Sequence, residues 1–277
     1  MTLALFAHSE VLAPFFLLVG MQLRSEITHV RQILLPTIAA FGGMLFPALI
    51  YSVMNRGNEI AQAWPVVMPT DIALVMVVLL ALGKKVSIEL KTFMLAIAVA
   101  DDLLSIIVLA IKYSNALKPM QMVASIGAVA IGVLIWKAPH QNWLTKFVNF
   151  FILPLYIFAN LYPTLTAHFV AISQLSSSIV LARVVGKAVG IVLFTWVAIK
   201  FGLARRPRDL KGGEVVGGAI LAGMGLAVSF FIADLAFTDN SLLNQARSGL
   251  LIAALISALA GSAVLILRSS KGRNTSP

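Results

Sequence analysis

Two adjacent aspartates interrupt one of the most apolar stretches of this 277-residue chain. Asp101 and Asp102 lie in the middle of residues 93–111, which read FMLAIAVADDLLSIIVLAI. A charge near the centre of a membrane-spanning helix costs roughly 2.5–3.5 kcal/mol, whereas each surrounding apolar residue contributes only roughly 0.3–0.6 kcal/mol. Because the helix only about breaks even in lipid, we expect its acidic face to line a bundle interior or a water-filled cavity.

Paired carboxylates at this depth suit the capture of a cation and the exchange of protons. Carboxylate oxygens are ligands of hard cations, and two neighbouring carboxylates repel each other, which favours a proton on one of them. The alternative is a satisfied polar pair that only holds helices together. One Asn or Ser would do that at lower cost, so the residues favour a cation- and proton-binding site.

Two basic residues also fall inside an apolar stretch, residues 175–200. Lys187 lies about 12 residues, or ~18 Å, from either end. Because that is too far for easy snorkelling to the interface, Lys187 is the expected counter-charge of the aspartates. Arg183 lies one turn earlier on the same face, and for it an interfacial, snorkelling position stays an equal alternative.

A third acid follows two prolines in WPVVMPTDIALVMVVLLAL. Proline lacks the backbone N–H that a helix interior requires, so Pro65 and Pro69 predict an interrupted helix whose free backbone groups lie near Asp71. Later in the chain, Gly223 and Gly225 predict a matching break. Tight glycine packing without a break stays the alternative for that second segment.

The composition places these charges in a membrane protein. Hydrophobic residues make up 60% of the chain and charged residues 12%, and the mean hydropathy is +0.95; soluble domains are nearer half apolar and a quarter charged. Without cysteine, disulfides and thiolate metal sites are excluded. The first apolar stretch lacks a basic flank and a small-residue cleavage site, so no cleavable signal peptide is expected. The histidines form no catalytic or metal-binding spacing: His8, His29, His140 and His168.

A helix needs about 20 mostly apolar residues to span a bilayer. These stretches lack the alternation of a barrel strand, so we predict an all-α integral membrane protein. Nine spans are predicted, at residues 8–23, 33–54, 66–82, 89–112, 120–136, 144–162, 175–200, 214–237 and 248–268.

Lysine and arginine are divided unequally between alternate connections. Fifteen of the 21 lie on one side and four on the other. Since cytoplasmic loops carry the excess of positive charge, this predicts a cytoplasmic C-terminus and, with nine spans, an N-terminus outside. The net charge of +10 is therefore interpreted as a topology signal, and nucleic acid is not an expected partner.

Spans two to four and seven to nine form two triplets of opposite orientation within one transmembrane domain, 1–277. Their bounds are approximately 33–112 and 175–268, and the middle member of each carries the predicted break. This is the layout of an inverted repeat, in which paired interrupted helices point to a substrate site at the bilayer midplane.

Six blocks of the sequence, in order, resemble the NhaA family of Na⁺/H⁺ antiporters: PFFLLVG, PTDIALVMVVLLALG, LAIAVADDLLSIIVLAI, ILPLYIFAN, RVVGKAVGIVLF and GMGLAVSFFIADLAF. The resemblance implies an NhaA-like inverted-repeat fold with two interrupted helices crossing at the midplane. It implies secondary active antiport that exports Na⁺ or Li⁺ in exchange for protons, for sodium and pH homeostasis. It further implies a bacterial plasma or inner membrane location, and no cofactor beyond the transported ions.

The resemblance also implies a role for each site residue. Asp102 would be the principal cation-binding carboxylate, and Asp101 would share the proton exchange by pairing with Lys187, so that both aspartates hold Na⁺ or Li⁺ transiently. Thr70 and Asp71 would lie where the interrupted helices cross, with Asp71 offsetting the partial positive charge of helix N-termini. Cation and protons would then compete for one site.

The chain departs from the family's usual twelve spans. The first helix with the hairpin after it, and a helix pair between Lys137 and Asn142, are expected to be absent. That hairpin usually makes the dimer contact, so a homodimer stays open, and Gln22 stands where a Glu linked to pH response is common. Asp234 is an extra acid, interpreted either as a cavity-lining or as an interfacial carboxylate.

Two other functions fit the same fold: a transport-inactive remnant or structural membrane protein, and a Na⁺-coupled symporter of an organic anion. A decaying gene would lose costly buried charges first, which argues against the remnant. A symporter would need a larger polar cavity, for which the triplets offer little beyond Ser229 and Thr195. Antiport is therefore the prediction, and enzymatic activity is not expected.

Overall fold

The computed structural model describes residues 17, 20–21, 30–113, 127–128, 130–135, 141–167, 173–207 and 209–273. Within these ranges the chain forms helices and turns and no strand, which confirms the all-α prediction. The spans predicted at 8–23 and 120–136 lie largely outside the described residues.

The described helices follow one another with short connections. Two of them contain a π-helical stretch, Val148–Ile152 in α4 and Ala182–Gly186 in α5, where the turn widens by one residue. The elements in chain order are α1 (Val30–Met54), a 3₁₀ helix (Glu59–Val67), α2 (Ile72–Ala81), a 3₁₀ turn (Gly83–Lys85), α3 (Ile88–Lys112), α4 (Gln141–Phe147, Val148–Ile152 and Leu153–Ala167), α5 (Gln174–Lys200), α6 (Gly212–Leu221), α7 (Ala227–Ala236) and α8 (Asn240–Arg273).

Four of the described helices are long and apolar enough to cross a membrane: Leu34–Met54, Ile88–Leu109, Gln174–Lys200 and Asn240–Arg268. The 3₁₀ helix Glu59–Val67 and α2 meet at a bend of 46° and together make a fifth candidate span. The helices α6 and α7 are shorter than a span, and so is the apolar part of α4. The span predicted at 214–237 is thus two short helices rather than one continuous helix.

Two predicted spans begin too late because a hydropathy window sees only their apolar part. The third begins at Glu59 rather than at residue 66, since its first turns are a 3₁₀ helix with two polar residues among its first four. The ninth begins at Asn240 rather than at residue 248: the Asp239 carboxylate accepts the N–H of Ser241 at 3.0 Å and so caps a polar first turn.

Small residues let α1 and α5 pack with their backbones close together. A side chain at Gly190 would collide with the carbonyl group of Gly42, and one at Gly43 would collide with Ile191. Close approach through glycines is a common way for membrane helices to associate. It places the middle of α5, including Lys187, against the middle of α1.

Two apolar cores lie on either side of the helix breaks. One core joins the 3₁₀ helix Glu59–Val67 to α7, with Val67 and Phe230 as members; the other joins α2 to α6, with Leu79 and Ala219 as members. Each interrupted helix therefore contributes one half to each core. The two breaks are held between the cores.

Candidate functional site

The first helix break lies between the 3₁₀ helix Glu59–Val67 and α2. It consists of residues 68–71, which are not helical and are all buried. The 3₁₀ helix ends at Met68, and Asp71 takes an extended conformation at the start of α2. The prolines at positions 65 and 69 carry no N–H, which is why the chain cannot continue as one helix here.

The second break lies between α6, which ends at Leu221, and α7, which begins at Ala227. Residues 222–226 between them are turn and extended chain, and all are buried. The alternative of tight glycine packing in a continuous helix is therefore wrong. Both interruptions predicted from the sequence are present.

The two breaks cross each other through Asp71. Its backbone N–H donates to the carbonyl of Met224 at 2.9 Å, and its Oδ2 accepts the N–H groups of Leu226 at 2.5 Å and Ala227 at 2.8 Å. Those N–H groups begin α7, where a helix presents a partial positive charge. Asp71 therefore lies as expected from the sequence, against the N-terminus of an interrupted helix.

Gly225 is the point at which the crossing has no room for a side chain. A Cβ atom there would collide with the guanidinium of Arg183 and with the carbonyl oxygen of Pro69. Gly225 is needed because the two breaks approach closely here, and not because of an unusual backbone angle, since its φ is not positive. Replacing Gly225 would push the two breaks apart.

Asp101 and Lys187 form a buried ion pair beside the crossing. Lys187 Nζ lies 3.0 Å from Asp101 Oδ2, and both side chains are only 1% exposed. The same Asp101 oxygen accepts the hydroxyl of Thr70 at 2.6 Å, and Lys187 also donates to the carbonyl of Met68. The first break is thereby tied both to α3 and to α5.

Asp102 is buried in the same way but is left with free ligand capacity. The residue is 3% exposed, and its Oδ1 has no hydrogen-bond partner in the described part of the chain. The same is true of Asp101 Oδ1 and of the Ser105 hydroxyl, which lies one helical turn further on the same face of α3. Three oxygens on one helix face thus remain available to a cation.

No third carboxylate or imidazole joins Asp101 and Asp102 in a metal-binding group among the described residues. A cation held there would therefore complete its coordination with hydroxyl groups, backbone carbonyls or water, which are usual ligands of hard cations. Such a mixed set of weak ligands suits an ion that is bound and then released.

Arg183 is fully buried and spans both breaks, so the interfacial alternative for this residue is wrong. Its guanidinium donates to the carbonyl of Val66 at the end of the 3₁₀ helix, to the carbonyl of Pro69 on the first break and to the carbonyl of Gly223 on the second. It also donates to the hydroxyl of Ser229 on α7 at 2.6 Å. The planar, five-donor fork of arginine suits this arrangement of several acceptors around one buried cation.

The sequence pointed to some of these contacts and missed others. Ser105 was missed, although its spacing of three residues from Asp102 is a signal that sets both on one helix face. The alignment of Ser229 with Arg183 had no local signal, because the two are far apart in the chain and meet only through the crossing.

The extra acid Asp234 belongs to a different network. Its carboxylate lies 2.8 Å from the guanidinium of Arg247, which also donates to Asn160 at 2.8 Å. The Asp234 side chain is 30% exposed. These contacts tie α7 and α8 to α4, so Asp234 takes part in an ion pair between helices.

Comparison with known proteins identifies relatives over nearly the whole chain. The family described as Na⁺/H⁺ antiporter 1 matches residues 1–144 and 136–265. The chain is 34% identical to the Na⁺/H⁺ antiporter NhaA of Sodalis glossinidius, over all of this chain and 85% of that protein. It is 31% identical to NhaA of Mannheimia succiniciproducens, over 97% and 85% of the two chains, and 31% identical to NhaA 2 of Erythrobacter litoralis, over 95% and 80%.

The two segments matched by the family meet within residues 136–144 of this chain. The alignment with the Sodalis relative runs over 342 positions against 277 residues here, so that relative carries residues opposite gaps in this chain. The join lies close to Lys137–Asn142, where the resemblance predicts an absent helix pair.

Proposed function

We propose that this chain, which belongs to the Na⁺/H⁺ antiporter 1 family, is a secondary active antiporter that exchanges Na⁺ or Li⁺ for protons. The chain is a multi-pass membrane protein. The observation that carries the proposal is the pair of buried aspartates on α3, one in an ion pair with Lys187 and the other without a hydrogen-bond partner among the described residues.

Asp102 is the principal ligand of the transported cation. Its carboxylate is buried and has an oxygen that no described protein group occupies. A buried carboxylate without a partner is strongly unfavourable, so binding of either a cation or a proton relieves it. Asp101, Ser105 and Thr70 lie around it and offer the further oxygens that Na⁺ or Li⁺ requires.

Competition between cation and proton follows from the shared carboxylates. A bound cation repels protons from Asp101 and Asp102, and a proton on either removes the negative charge that holds the cation. Lys187 takes part because its ammonium is paired with Asp101, so the lysine and a cation bound at Asp102 share the charge of one pair of carboxylates. One site thereby couples the two fluxes without a separate proton pathway.

The crossing of two breaks supplies a site that can face either side of the membrane. In each half of the chain a long helix is followed by an interrupted helix and another long helix, and each interrupted helix contributes to both apolar cores. This order supports the assignment of inverted-repeat halves at approximately 33–112 and 175–268. Rocking of one repeat-related group of helices against the other would alternate the access to Asp102.

The chain acts in the plasma membrane of a bacterium, the inner membrane where there are two, with its N-terminus outside and its C-terminus in the cytoplasm. The unequal division of lysine and arginine between the connections supports that orientation. With an inward proton gradient, the exchange exports sodium and so serves sodium and pH homeostasis. The transported ions are the substrates, and no cofactor has a role in this exchange.

The intact charge cluster disfavours a transport-inactive remnant of the fold. Buried charges are expensive to keep in a membrane protein, and the contacts of Lys187, Asp71 and Arg183 support a cluster that is complete. A symporter for an organic anion is also disfavoured. The positive groups in the crossing already bind Asp101, Asp71 and backbone carbonyls, so none is left to bind an anionic substrate in the described structure.

The test is Na⁺- or Li⁺-induced proton flux in everted membrane vesicles, measured for the wild-type protein and for Asp102→Asn. We expect flux from the wild type and its loss in the variant, because the amide removes the charge at nearly constant volume. Asp234→Asn is the matched control: it neutralises a membrane-helix aspartate outside the cluster, and flux should persist.

Absence of flux from a well-inserted wild-type protein would refute antiport. Flux that persists in Asp102→Asn would leave antiport in place but remove Asp102 as the cation ligand. Equal loss of flux in Asp102→Asn and Asp234→Asn would attribute the effect to the fold rather than to the site.

A further inference from the structure

We propose that Arg183 restricts the transport site to singly charged cations by acting as a fixed positive charge within the buried cluster. The inference rests on the proposed cation exchange and adds a determinant of selectivity to it. Arg183 is not a ligand of the cation; it sets the charge that the ligands present.

The cluster contains three acids and two bases. Asp71, Asp101 and Asp102 are each at most 4% exposed, Lys187 is 1% exposed and Arg183 is fully buried. Lys187 is paired with Asp101, and Arg183 binds the break that carries Asp71, so these groups lie together around the crossing. With all five ionised, the cluster carries one net negative charge.

The geometry divides these charges into two compensated acids and one open acid. Lys187 compensates Asp101 directly, at 3.0 Å. Arg183 and the first N–H groups of α7 compensate Asp71, because the guanidinium binds Pro69, two residues before Asp71, as well as Gly223 on the opposite break. Asp102 is left as the one carboxylate without a positive partner in the described structure.

A net charge of minus one is neutralised by one monovalent cation. A divalent cation would leave the cluster with a net positive charge, and a buried charge without compensation is strongly unfavourable. Without the charge of Arg183, the cluster would carry two negative charges, and a divalent ion would be the one that neutralises it. Ca²⁺ is the suitable probe because it favours carboxylate and carbonyl oxygen ligands in flexible geometry.

The hydrogen bonds of Arg183 explain why this charge is held in place. The guanidinium has acceptors on both breaks and on Ser229 of α7, so it cannot leave the cluster without unpairing buried carbonyl groups. Unpaired buried acceptors are costly. The positive charge is therefore present in every state in which the crossing is intact.

The experiment uses the full-length protein in vesicles of zwitterionic lipid that contain a pH-sensitive dye. Na⁺-driven proton flux is measured against increasing CaCl₂ for the wild type, Arg183→Lys and Arg183→Gln. We expect the apparent KM for Na⁺ to be independent of Ca²⁺ in the wild type and in R183K, which keeps the charge. In R183Q, Ca²⁺ at a concentration equal to that of Na⁺ should raise the apparent KM for Na⁺ by about tenfold or more. A tenfold change corresponds to about 1.4 kcal/mol.

Two further variants separate charge from structure. Arg247→Gln removes a second arginine that is buried in the described structure, which pairs with Asp234 outside the cluster, and should leave the exchange insensitive to Ca²⁺. The double variant Asp71→Asn with R183Q returns the net charge to minus one, and Ca²⁺ sensitivity should disappear again. A merely structural role of Arg183 would not be reversed by removing a second hydrogen-bonding charge.

Each outcome decides between the two proposals. Inhibition of the wild type by Ca²⁺ at the Na⁺ concentration, or Na⁺ exchange by R183Q that Ca²⁺ does not affect, would overturn the charge-selectivity inference while leaving antiport in place. Wild-type protein that shows no Na⁺-driven proton flux at all would overturn antiport and this inference together. If R183Q does not fold, the wild-type and R183K measurements still test the inference.

Discussion

The buried pair of Lys187 and Asp101 should dominate the stability of the crossing. Replacing Lys187 by Met removes the charge at similar length and leaves Asp101 buried with the Thr70 hydroxyl as its remaining donor in the described structure. Removal of one partner from a buried pair costs about 3–5 kcal/mol. That is a large share of a typical stability of about 5–15 kcal/mol, so we expect a fall in the unfolding midpoint of roughly 10 °C.

The expected loss of stability comes from the charge that is left buried and unpaired rather than from the loss of a favourable contact. Asp101→Asn alone leaves the Lys187 ammonium buried without its ion-pair partner, and it should destabilise by a similar amount. The double variant buries neither charge. Because well-packed neutral groups often replace a buried ion pair at little cost, it should be more stable than the sum of the single changes predicts, by about 1–3 kcal/mol.

The measurement is thermal and denaturant unfolding of the purified protein in detergent, for the wild type, both single variants and the double variant. Single changes that add within about 0.5 kcal/mol in the double variant would refute direct coupling between Lys187 and Asp101. A Lys187→Met protein with wild-type stability and an unchanged pH profile of exchange would refute the ion pair itself.

Two more substitutions test the close approach of the breaks and the ligands of the cation. Gly225→Ala forces a Cβ into the guanidinium of Arg183 and should destabilise the protein by about 1–3 kcal/mol in the same unfolding assay. Gly212→Ala is the control, because a Cβ there meets only ordinary contacts. Equal effects of the two substitutions would refute the tight crossing. Ser105→Ala removes an unpartnered hydroxyl beside Asp102 and should raise the KM for Na⁺ by about threefold to tenfold. Ser178→Ala, which removes a buried hydroxyl bonded to a backbone carbonyl, should not change that KM, and an unchanged KM in Ser105→Ala would exclude the hydroxyl as a ligand.

The agreement between sequence and structure is closest where physics acts locally. Two acids in an apolar stretch must be sheltered from lipid, and a proline in an apolar stretch must interrupt a helix. Both consequences are visible without knowing any partner, and Asp101, Asp102 and the break before Asp71 are found buried as expected. Glycine is a weaker signal, because it serves close packing as well as a break, and only the end of α6 at Leu221 decides between them.

Helix ends were placed less well because hydropathy is not what ends a helix. The first turns of α8 are polar and are stabilised by the Asp239 cap, and the 3₁₀ helix before the first break begins with two polar residues among its first four, Glu59 and Gln62. Neither adds to an apolar window, so the predicted spans started seven or eight residues late. Hydrogen bonds at helix ends and packing against neighbours set these boundaries.

Arg183 shows the limit of local reasoning most clearly. An arginine near the middle of an apolar helix is compatible both with an interfacial position and with burial, since its long side chain can reach in either direction. The position of Arg183 is decided by acceptors on the two breaks. Pro69 on the first break is 114 residues from Arg183 in the chain, and Gly223 on the second is 40 residues from it. No spacing within α5 contains that information.

The chain by itself therefore determined the class of protein, the helices that carry charge and the candidate residues for ion exchange, because a charge in an apolar environment has few acceptable solutions. The tertiary structure alone decided how those charges are paired: Lys187 with Asp101, Asp71 with the start of α7, and Arg183 with both breaks. Pairing depends on distances of about 3 Å between side chains on different helices, and only the packing of the two apolar cores around the crossing sets those distances.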